Sequence, residues 1–202
     1  MRLLLGLSIL CRLAATPAAA AVVDVHVLGS DGKVLPEAVV FLESREAKTT
    51  ARPVSGVEVE QVERRFTRRV TVVTAGSELR FPNRDKVRHH VYSFSPTKTF
   101  ELKLYSGTPS NPVLFDKPGI AALGCNIHDR MVAWVVVVET PYYAQSDAHG
   151  ALRLDNVPPG SYRLRSWHPG LPPGAAATDE ALVLTAAGAT LSLKLPLTSS
   201  AL

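Results

Sequence analysis

The stretch Cys125–Met131 reads Cys-Asn-Ile-His-Asp-Arg-Met and places a thiol, an imidazole and a thioether within seven residues. Cys125 and Met131 are the sole cysteine and methionine beyond residue 20. The Cys-x2-His-x2-Met spacing supplies three of the four ligands of a mononuclear copper site in which two histidines and a cysteine form a plane and a methionine lies on the axis. The stretch therefore predicts a metal-binding loop that still needs a second histidine.

The histidine pair His89 and His90, upstream in a strand-like run, offers that second imidazole. Alternate side chains of a strand share a face, so His90 would lie with Tyr92 and Phe94, and His89 would lie on the opposite face. This alternation mildly favours His90, because aromatic side chains are typical of a buried face. From the residues alone, both histidines remain candidates.

The N-terminus has the pattern of a secretory signal peptide over residues 1–20. A basic start precedes the apolar run Leu3–Leu10, and the small residues Ala18–Ala20 provide a cleavage site. This apolar run is too short to span a bilayer, and we predict no membrane span. Cleavage would remove Cys11 and leave Cys125 without a disulfide partner in the oxidising periplasm, where a lone thiol is a liability unless it is buried or metal-bound.

Composition predicts an all-β protein. The chain contains 15 Pro and 13 Gly and no sustained apolar pattern of helical period. Removal of Arg2 and Arg12 would lower the formal charge from +4 towards +2. The basic residues are scattered among acidic ones, which gives no support for nucleic-acid binding. Neither a Gly-x-Ser-x-Gly nor a His-Glu-x-x-His motif is present, and we predict that the protein is not an enzyme.

Strand-like runs divide the remaining chain into three blocks, at residues 22–55, 56–140 and 141–197. The central block has seven or so short strands at near-regular spacing, which predicts a two-sheet sandwich. Its run Val135–Val138 is apolar throughout and is typical of a strand buried on both faces. Residues 44–55 are polar and are interpreted as a surface connection.

The central block resembles the cupredoxins, the family of plastocyanin, amicyanin and azurin. The resemblance rests on the segments Phe81–Asp85, His89–Val91, Val113–Gly119 and Gly124–Met131. The wider pattern is also similar to periplasmic proteins often labelled methylamine-utilisation proteins. The resemblance implies a cupredoxin Greek-key β-sandwich that binds one copper ion, cycling between Cu(I) and Cu(II).

The resemblance also bears on the ligands. The first histidine ligand of the family is followed by Asn and Val, so the run His89-His90-Val91 places that ligand at His89, which we favour over His90. The implied metal ligands are His89, Cys125, His128 and Met131. His90 occupies the position of the usual asparagine, which is a departure from the family pattern.

The two flanking blocks resemble the ends of a transthyretin-like, carboxypeptidase-regulatory-type sandwich. The matching segments are Asp31–Val40, Ser146–Gly150 and Val157–Leu164. We therefore expect residues 22–55 and 141–197 to form a discontinuous second β-sandwich, with the cupredoxin domain inserted at 56–140. Such domains usually act as folding or interaction modules.

These observations favour a periplasmic type 1 copper protein that carries single electrons, with a c-type cytochrome or a periplasmic dehydrogenase as its partner. The alternative is a copper-binding protein of transport or storage, in which the metal is cargo. A docking surface is expected around His128. The near-neutral charge of the mature chain predicts a largely apolar contact with modest salt dependence.

Overall fold

A computed structural model describes residues 20–198 of the chain. Over this range the protein forms seventeen strands and one short helix, so the predicted all-β class is confirmed. The predicted signal peptide, apart from Ala20, lies outside the described residues. Within residues 20–198, no helix has the length and apolar character needed to cross a membrane.

The elements follow the three blocks of the sequence. The first block contains β1 (Ala21–Leu28), β2 (Val39–Glu43) and α1 (Arg45–Thr50). The central block contains β3 (Val57–Glu58), β4 (Gln61–Val62), β5 (Arg65–Phe66), β6 (Val70–Thr74), β7 (Ser77–Arg80), β8 (His89–Ser95), β9 (Lys98–Tyr105), β10 (Val113–Phe115), β11 (Gly119–Cys125) and β12 (Val132–Val138). The last block contains β13 (Tyr143–Gln145), β14 (Ala151–Val157), β15 (Gly160–Trp167), β16 (Glu180–Leu184) and β17 (Ala189–Lys194).

The central block is a sandwich of two main sheets. Five strands form one sheet in the order β6-β12-β11-β8-β9, and three form the other in the order β10-β7-β3. Strands β4 and β5 form a separate two-stranded hairpin. Apolar side chains from these strands and their connections build one core, which includes Phe81, Phe115, Leu123, Cys125 and Met131. The candidate ligands Cys125 and Met131 are thus part of the packed interior.

Strand β12 is buried on both of its faces, as its sequence predicted. Val135 and Val137 pack into the central core. Val136 and Val138 pack on the opposite side, in a cluster shared with the flanking blocks. A strand covered on both sides requires apolar residues at consecutive positions, which is why this run lacks the alternation of a half-exposed strand.

The first and last blocks of the chain share two sheets. Strand β1 pairs antiparallel with β14 and parallel with β17, and β2 pairs with β13 and β15. The sheet orders are β14-β1-β17 and β13-β2-β15-β16, and a separate apolar core lies between these sheets. Within residues 20–198, the ladders of β1 and β2 join strands of these two blocks alone.

The two sandwiches meet through their tryptophans and valines. Trp134 of β12 and Trp167 of β15 lie with ring centroids 6.2 Å apart. The guanidinium carbon of Arg69 lies 5.4 Å from the centroid of the Trp134 ring, within the range of a cation–π contact. The outer face of the five-stranded sheet is therefore partly covered by the flanking sandwich.

The polar segment at 44–55, interpreted from sequence as a surface connection, contains the short helix α1. The Ser44 side-chain oxygen caps it by accepting a hydrogen bond from the backbone N–H of Ala47 at 3.0 Å. Ala47 is the buried residue of the helix. Six residues are too few to show a helical period in the sequence.

Candidate metal centre

Strand β8 places His89 inside the central sandwich. His89, Val91 and Ser93 are all fully buried, whereas Phe94 on the opposite face is 67% exposed. The face of β8 that carries His89 is therefore the buried one, and the expectation that the face of His90 is buried is wrong. Aromatic rings from other elements, such as Phe81, already fill the core, and β8 contributes small inward side chains beside the histidine.

Cys125 ends strand β11 directly beside β8. Its backbone lies opposite Val91, and its side chain is 4% exposed. Cys125 is a free thiol. The preceding residue, Gly124, lies opposite Tyr92, and a Cβ atom at Gly124 would approach the Tyr92 ring carbon Cζ to 2.7 Å. Glycine leaves room here for the Tyr92 ring, which packs directly onto the backbone.

A short loop after Cys125 carries the second imidazole. The backbone N–H of Asn126 donates to the carbonyl of His90 at 3.0 Å, and the N–H of Met131 donates to the carbonyl of His128 at 2.9 Å. These two hydrogen bonds fix both ends of the loop. The His128 side chain is held near Cys125 in consequence.

The three side chains converge on one point. The Nδ1 atom of His89 lies 3.8 Å from the Sγ atom of Cys125, and the Nδ1 atom of His128 lies 3.9 Å from it. One ligand atom from each side chain lies within 4.8 Å of the other two. Metal bonds of about 2.0 to 2.3 Å to nitrogen and sulfur require donors about 3.5 to 4 Å apart. The two Nδ1–Sγ distances fall in this range, so the cluster has the spacing of a metal site.

Met131 follows the loop and is fully buried in the same core cluster as Cys125. It directly precedes β12, so the loop between two paired strands brings all three residues of the Cys-x2-His-x2-Met pattern to one end of the sandwich. A thiolate and two imidazoles with a thioether close by form the donor set of type 1 copper sites. Metal binding by His89, Cys125, His128 and Met131 stays a prediction at this point.

The carboxylate of Asp85 orients His89, and this role was not predicted from the sequence. The Nε2–H of His89 donates to the Oδ2 atom of Asp85 at 2.8 Å. Asp85 also accepts backbone N–H groups from Glu63 at 2.7 Å and from Arg64 at 2.9 Å. Burial raises the pKa of Asp85, but the hydrogen bonds from Arg64, His89 and Glu63 outweigh it, and the net pKa is lowered. With Nε2 occupied, the Nδ1 atom of His89 is left to face the thiol.

Asn83 shapes the loop that carries Asp85. Its side-chain amide nitrogen donates to the carbonyl oxygens of Val87 at 2.9 Å and Tyr105 at 3.0 Å, and its side-chain oxygen accepts the N–H of Asp85 at 2.9 Å. Asn83 is itself 4% exposed. A hydrogen-bond network centred on the buried Asn83 side chain thus fixes the position of Asp85 next to His89. The sequence signal for this role of Asp85 was an acidic residue four positions before His89, in the segment Phe81–Asp85 that resembles the cupredoxins.

The remaining histidines lie outside the cluster. The Nε2 atom of His90 lies 3.4 Å from a carboxylate oxygen of Glu101. His168 is fully buried, with its Nε2–H donating to the carbonyl of Pro36 and its Nδ1 accepting the N–H of Gly170, both at 2.8 Å. Burial lowers the pKa of His168, so it is a neutral structural residue.

His128 borders a groove of about 880 Å³ on the surface. The walls of this groove come from the β4–β5 hairpin, from the loop after Cys125 and from the start of β12. Four arginines line it, namely Arg64, Arg65, Arg69 and Arg130, and they outnumber the two acidic residues of its lining, Glu63 and Asp129. We call this feature the arginine groove. It gives the imidazole of His128, unlike that of His89, a route to the surface.

Comparisons with known proteins give structural similarity only. No protein-family profile and no curated protein sequence matches the chain. Among solved structures, the Cu(I) form of a methionine-to-alanine variant of amicyanin is 16% identical, with a TM-score of 0.37, and the match covers 49% of this chain and 98% of amicyanin.

Two further solved structures are similar at the same level. Amicyanin from Paracoccus versutus is 15% identical, with a TM-score of 0.35, over 49% of this chain and 97% of that protein. A purple cupredoxin from Nitrosopumilus maritimus is 18% identical, with a TM-score of 0.35, over 41% of this chain and 99% of that protein. Because these values are low, the assignment of a metal to this chain depends on its own site geometry.

Proposed function

We propose that this protein is a type 1 copper protein of the cupredoxin kind that carries single electrons between redox partners. The observation that carries the proposal is the convergence of two imidazole Nδ1 atoms on the Cys125 thiol, at 3.8 and 3.9 Å. Two imidazoles and a thiolate with a buried methionine nearby favour copper over the harder divalent ions. The proposed ligands are His89, Cys125, His128 and Met131.

The chain's own residues suit rapid electron exchange. Copper, when bound, would supply a reversible change between Cu(I) and Cu(II). His89 and Cys125 are held by paired strands, and Asp85 fixes the His89 ring. A rigid ligand set moves little during a change of charge, which keeps the reorganisation needed for electron transfer small. Burial of Cys125 also protects the thiolate from disulfide chemistry.

We further propose the organisation of the whole chain. Residues 1–20 are a signal peptide that directs the protein to the periplasm, and residues 56–140 are the cupredoxin domain. Residues 22–55 and 141–197 form a carboxypeptidase-regulatory-like sandwich, which the pairing of β1 with β14 and β17 supports. This sandwich serves as an interaction module, and the protein has no catalytic activity of its own.

Stopped-flow kinetics test the electron-carrier role. The reduced, copper-loaded protein is mixed with a ferric c-type cytochrome, and haem reduction is followed by absorbance. We expect one electron transferred per copper, and no transfer from the Cys125→Ser variant treated in the same way. A protein that leaves the haem oxidised but passes its copper to a metal-free acceptor protein is a transport or storage protein, and the proposal would then be rejected.

A further inference from the structure

We propose that the arginine groove beside His128 is the docking surface for the acidic face of a redox protein. This inference rests on the proposed electron-carrier function. It replaces the expectation of a largely apolar contact with modest salt dependence, which followed from the net charge of the whole chain. The distribution of the charge over the structure leads to a different conclusion.

Charge is concentrated at the end of the molecule that holds the metal centre. Residues 60–69, 84–90 and 126–131 contain eight Arg and Lys residues and four acidic residues, a formal net charge of +4. The rest of residues 20–198 contains twelve basic and fourteen acidic residues, a formal net charge of −2. The net charge of residues 20–198 is therefore small although the charge is unevenly distributed, and such an uneven distribution orients an approaching charged partner.

The arginines of the groove are available to a partner. Arg64, Arg65 and Arg130 are exposed, and none forms an ion pair with any residue in the range 20–198. Arg69 is already paired with Glu37 at 3.2 Å. Unpaired guanidinium groups bind carboxylates with two parallel hydrogen bonds, so an acidic surface is the complement of this groove.

Apolar residues complete the surface around the exposed edge of the site. Ile127 is 47% exposed and Val132 is 43% exposed, on either side of His128 along the chain. An interface commonly combines an apolar centre with a charged rim that steers the encounter. Here two exposed apolar residues flank in sequence the histidine through which an electron would leave, and the arginines set the sign of the partner's charge.

The groove is also connected to the buried part of the site. Glu63 and Arg64 form the turn between β4 and β5, with φ values of 53° and 57°. In this left-handed turn both backbone N–H groups point inwards to the Asp85 carboxylate, which in turn accepts the Nε2–H of His89. The hairpin that presents Arg64 and Arg65 is therefore held in place by the same carboxylate that orients a proposed ligand.

The test compares two electron acceptors that differ in surface charge. One is basic mitochondrial cytochrome c, and the other is the same cytochrome with its lysines succinylated, which makes it acidic. In each reaction one electron passes from the reduced protein to the ferric haem, with no bond made or broken. At low ionic strength we expect the acidic form to react about ten-fold faster or more, with the difference lost near 1 M salt.

Two variants locate the effect. The double variant Arg64→Glu/Arg65→Glu should abolish the preference for the acidic cytochrome. The control Arg45→Glu makes a charge reversal of the same kind at an exposed arginine of α1, away from the groove, and should leave the preference intact. Calorimetric titration of the metal-free protein with the succinylated cytochrome measures binding without any redox reaction, and should show the same dependence on the variants.

The outcomes separate the two proposals. Equal rates for both cytochromes at low salt, or a preference that survives Arg64→Glu/Arg65→Glu, would overturn the docking surface and leave the electron carrier standing. Binding to phosphatidylglycerol vesicles that needs Arg64 and Arg65, without any preference between cytochromes, would assign the groove to a membrane surface and also overturn it. No electron transfer to either cytochrome, with calorimetric binding intact, would reject the electron-carrier function but support the acidic preference.

Discussion

At the scale of single residues, Asp85 connects the candidate metal centre to the β4–β5 turn. Its carboxylate accepts hydrogen bonds from His89 and from the backbone of Glu63 and Arg64. Two non-glycine residues with positive φ cost roughly 1 to 2 kcal/mol each. The hydrogen bonds to Asp85 offset part of that cost, so the same carboxylate orients the proposed ligand His89 and stabilises a strained turn.

The Asp85→Asn variant should bind copper more weakly. An amide oxygen is a poorer acceptor than a carboxylate for the Nε2–H of His89, and the amide nitrogen cannot accept the second backbone N–H. Loss of such a partner of a metal ligand lowers metal affinity by about 10- to 100-fold. Competition titration with a copper chelator measures the change, with Glu101→Gln as the matched control beside His90. Equal affinity in the wild type and Asp85→Asn would show that Asp85 does not support the site.

Substitution of the two adjacent histidines should have unequal effects. We expect His89→Ala to abolish the blue colour of the copper-loaded protein, because it removes an Nδ1 atom that faces Cys125. His90→Ala should only shift the absorption band, because His90 points to Glu101. Visible spectra of both variants at equal copper loading provide the comparison. If His90→Ala lost the colour and His89→Ala kept it, the ligand would be His90 and the assignment of His89 would be wrong.

The sequence predicted most of the candidate site, within limits set by strand geometry. The short spacing of Cys125 and His128 predicted that their side chains would lie together, and they do, because a loop of this length leaves few places for its side chains. Alternation along β8 led to a wrong prediction of the buried face, because the face with the larger side chains was taken as the buried one. The core beside His89 is instead filled by side chains from other elements. Asp85 had no assigned role because its importance depends on a turn distant in the chain.

At the scale of elements, strand β11 shows how packing can override local preference. Its sequence, Gly-Ile-Ala-Ala-Leu-Gly-Cys, contains four Gly and Ala residues, which rarely favour strands. It lies between β12 and β8 and pairs with both of them. Small residues are tolerated there because the neighbouring strands supply the bulky side chains, among them Tyr92 over Gly124.

The Gly124→Ala variant should be less stable than the wild type. The added methyl group would lie 2.7 Å from the Tyr92 ring, and overpacking of this kind costs about 1 to 3 kcal/mol. Chemical denaturation of the metal-free protein measures the free energy of unfolding. The double variant Tyr92→Ala/Gly124→Ala should lose less than the sum of the two single variants, because the clash is removed. Strict additivity would show that Tyr92 is not the cause.

At the scale of the whole molecule, β12 belongs to two cores at once. Its alternate valines contribute to the central core and to the contact with the flanking sandwich. Trp134 and Trp167 both lie at this contact, and they are the two tryptophans of the chain. Because one strand is shared between the cores, we expect the two sandwiches to unfold together.

Denaturant unfolding of the copper-loaded protein tests whether the two sandwiches unfold together. Tryptophan fluorescence reports on the contact between the sandwiches, and the visible band reports on the metal centre, so both should change at the same denaturant concentration. Val136→Ala should move both transitions together, by about 1 to 3 kcal/mol, because Val136 is buried in that contact. Val183→Ala, at a 75% exposed valine, is the control. Two separate transitions in the wild type would contradict a single cooperative unit.

The visible absorption spectrum of the Cu(II)-loaded protein tests the central claim most directly. Because the Cys125 thiol lies between two imidazole Nδ1 atoms, we expect one copper per chain and an intense thiolate-to-copper band at about 600 nm. The Cys125→Ser variant should lack this band at the same copper loading. A colourless Cu(II) protein, or a band that survives Cys125→Ser, would contradict the assignment of His89, Cys125 and His128 as a type 1 copper site.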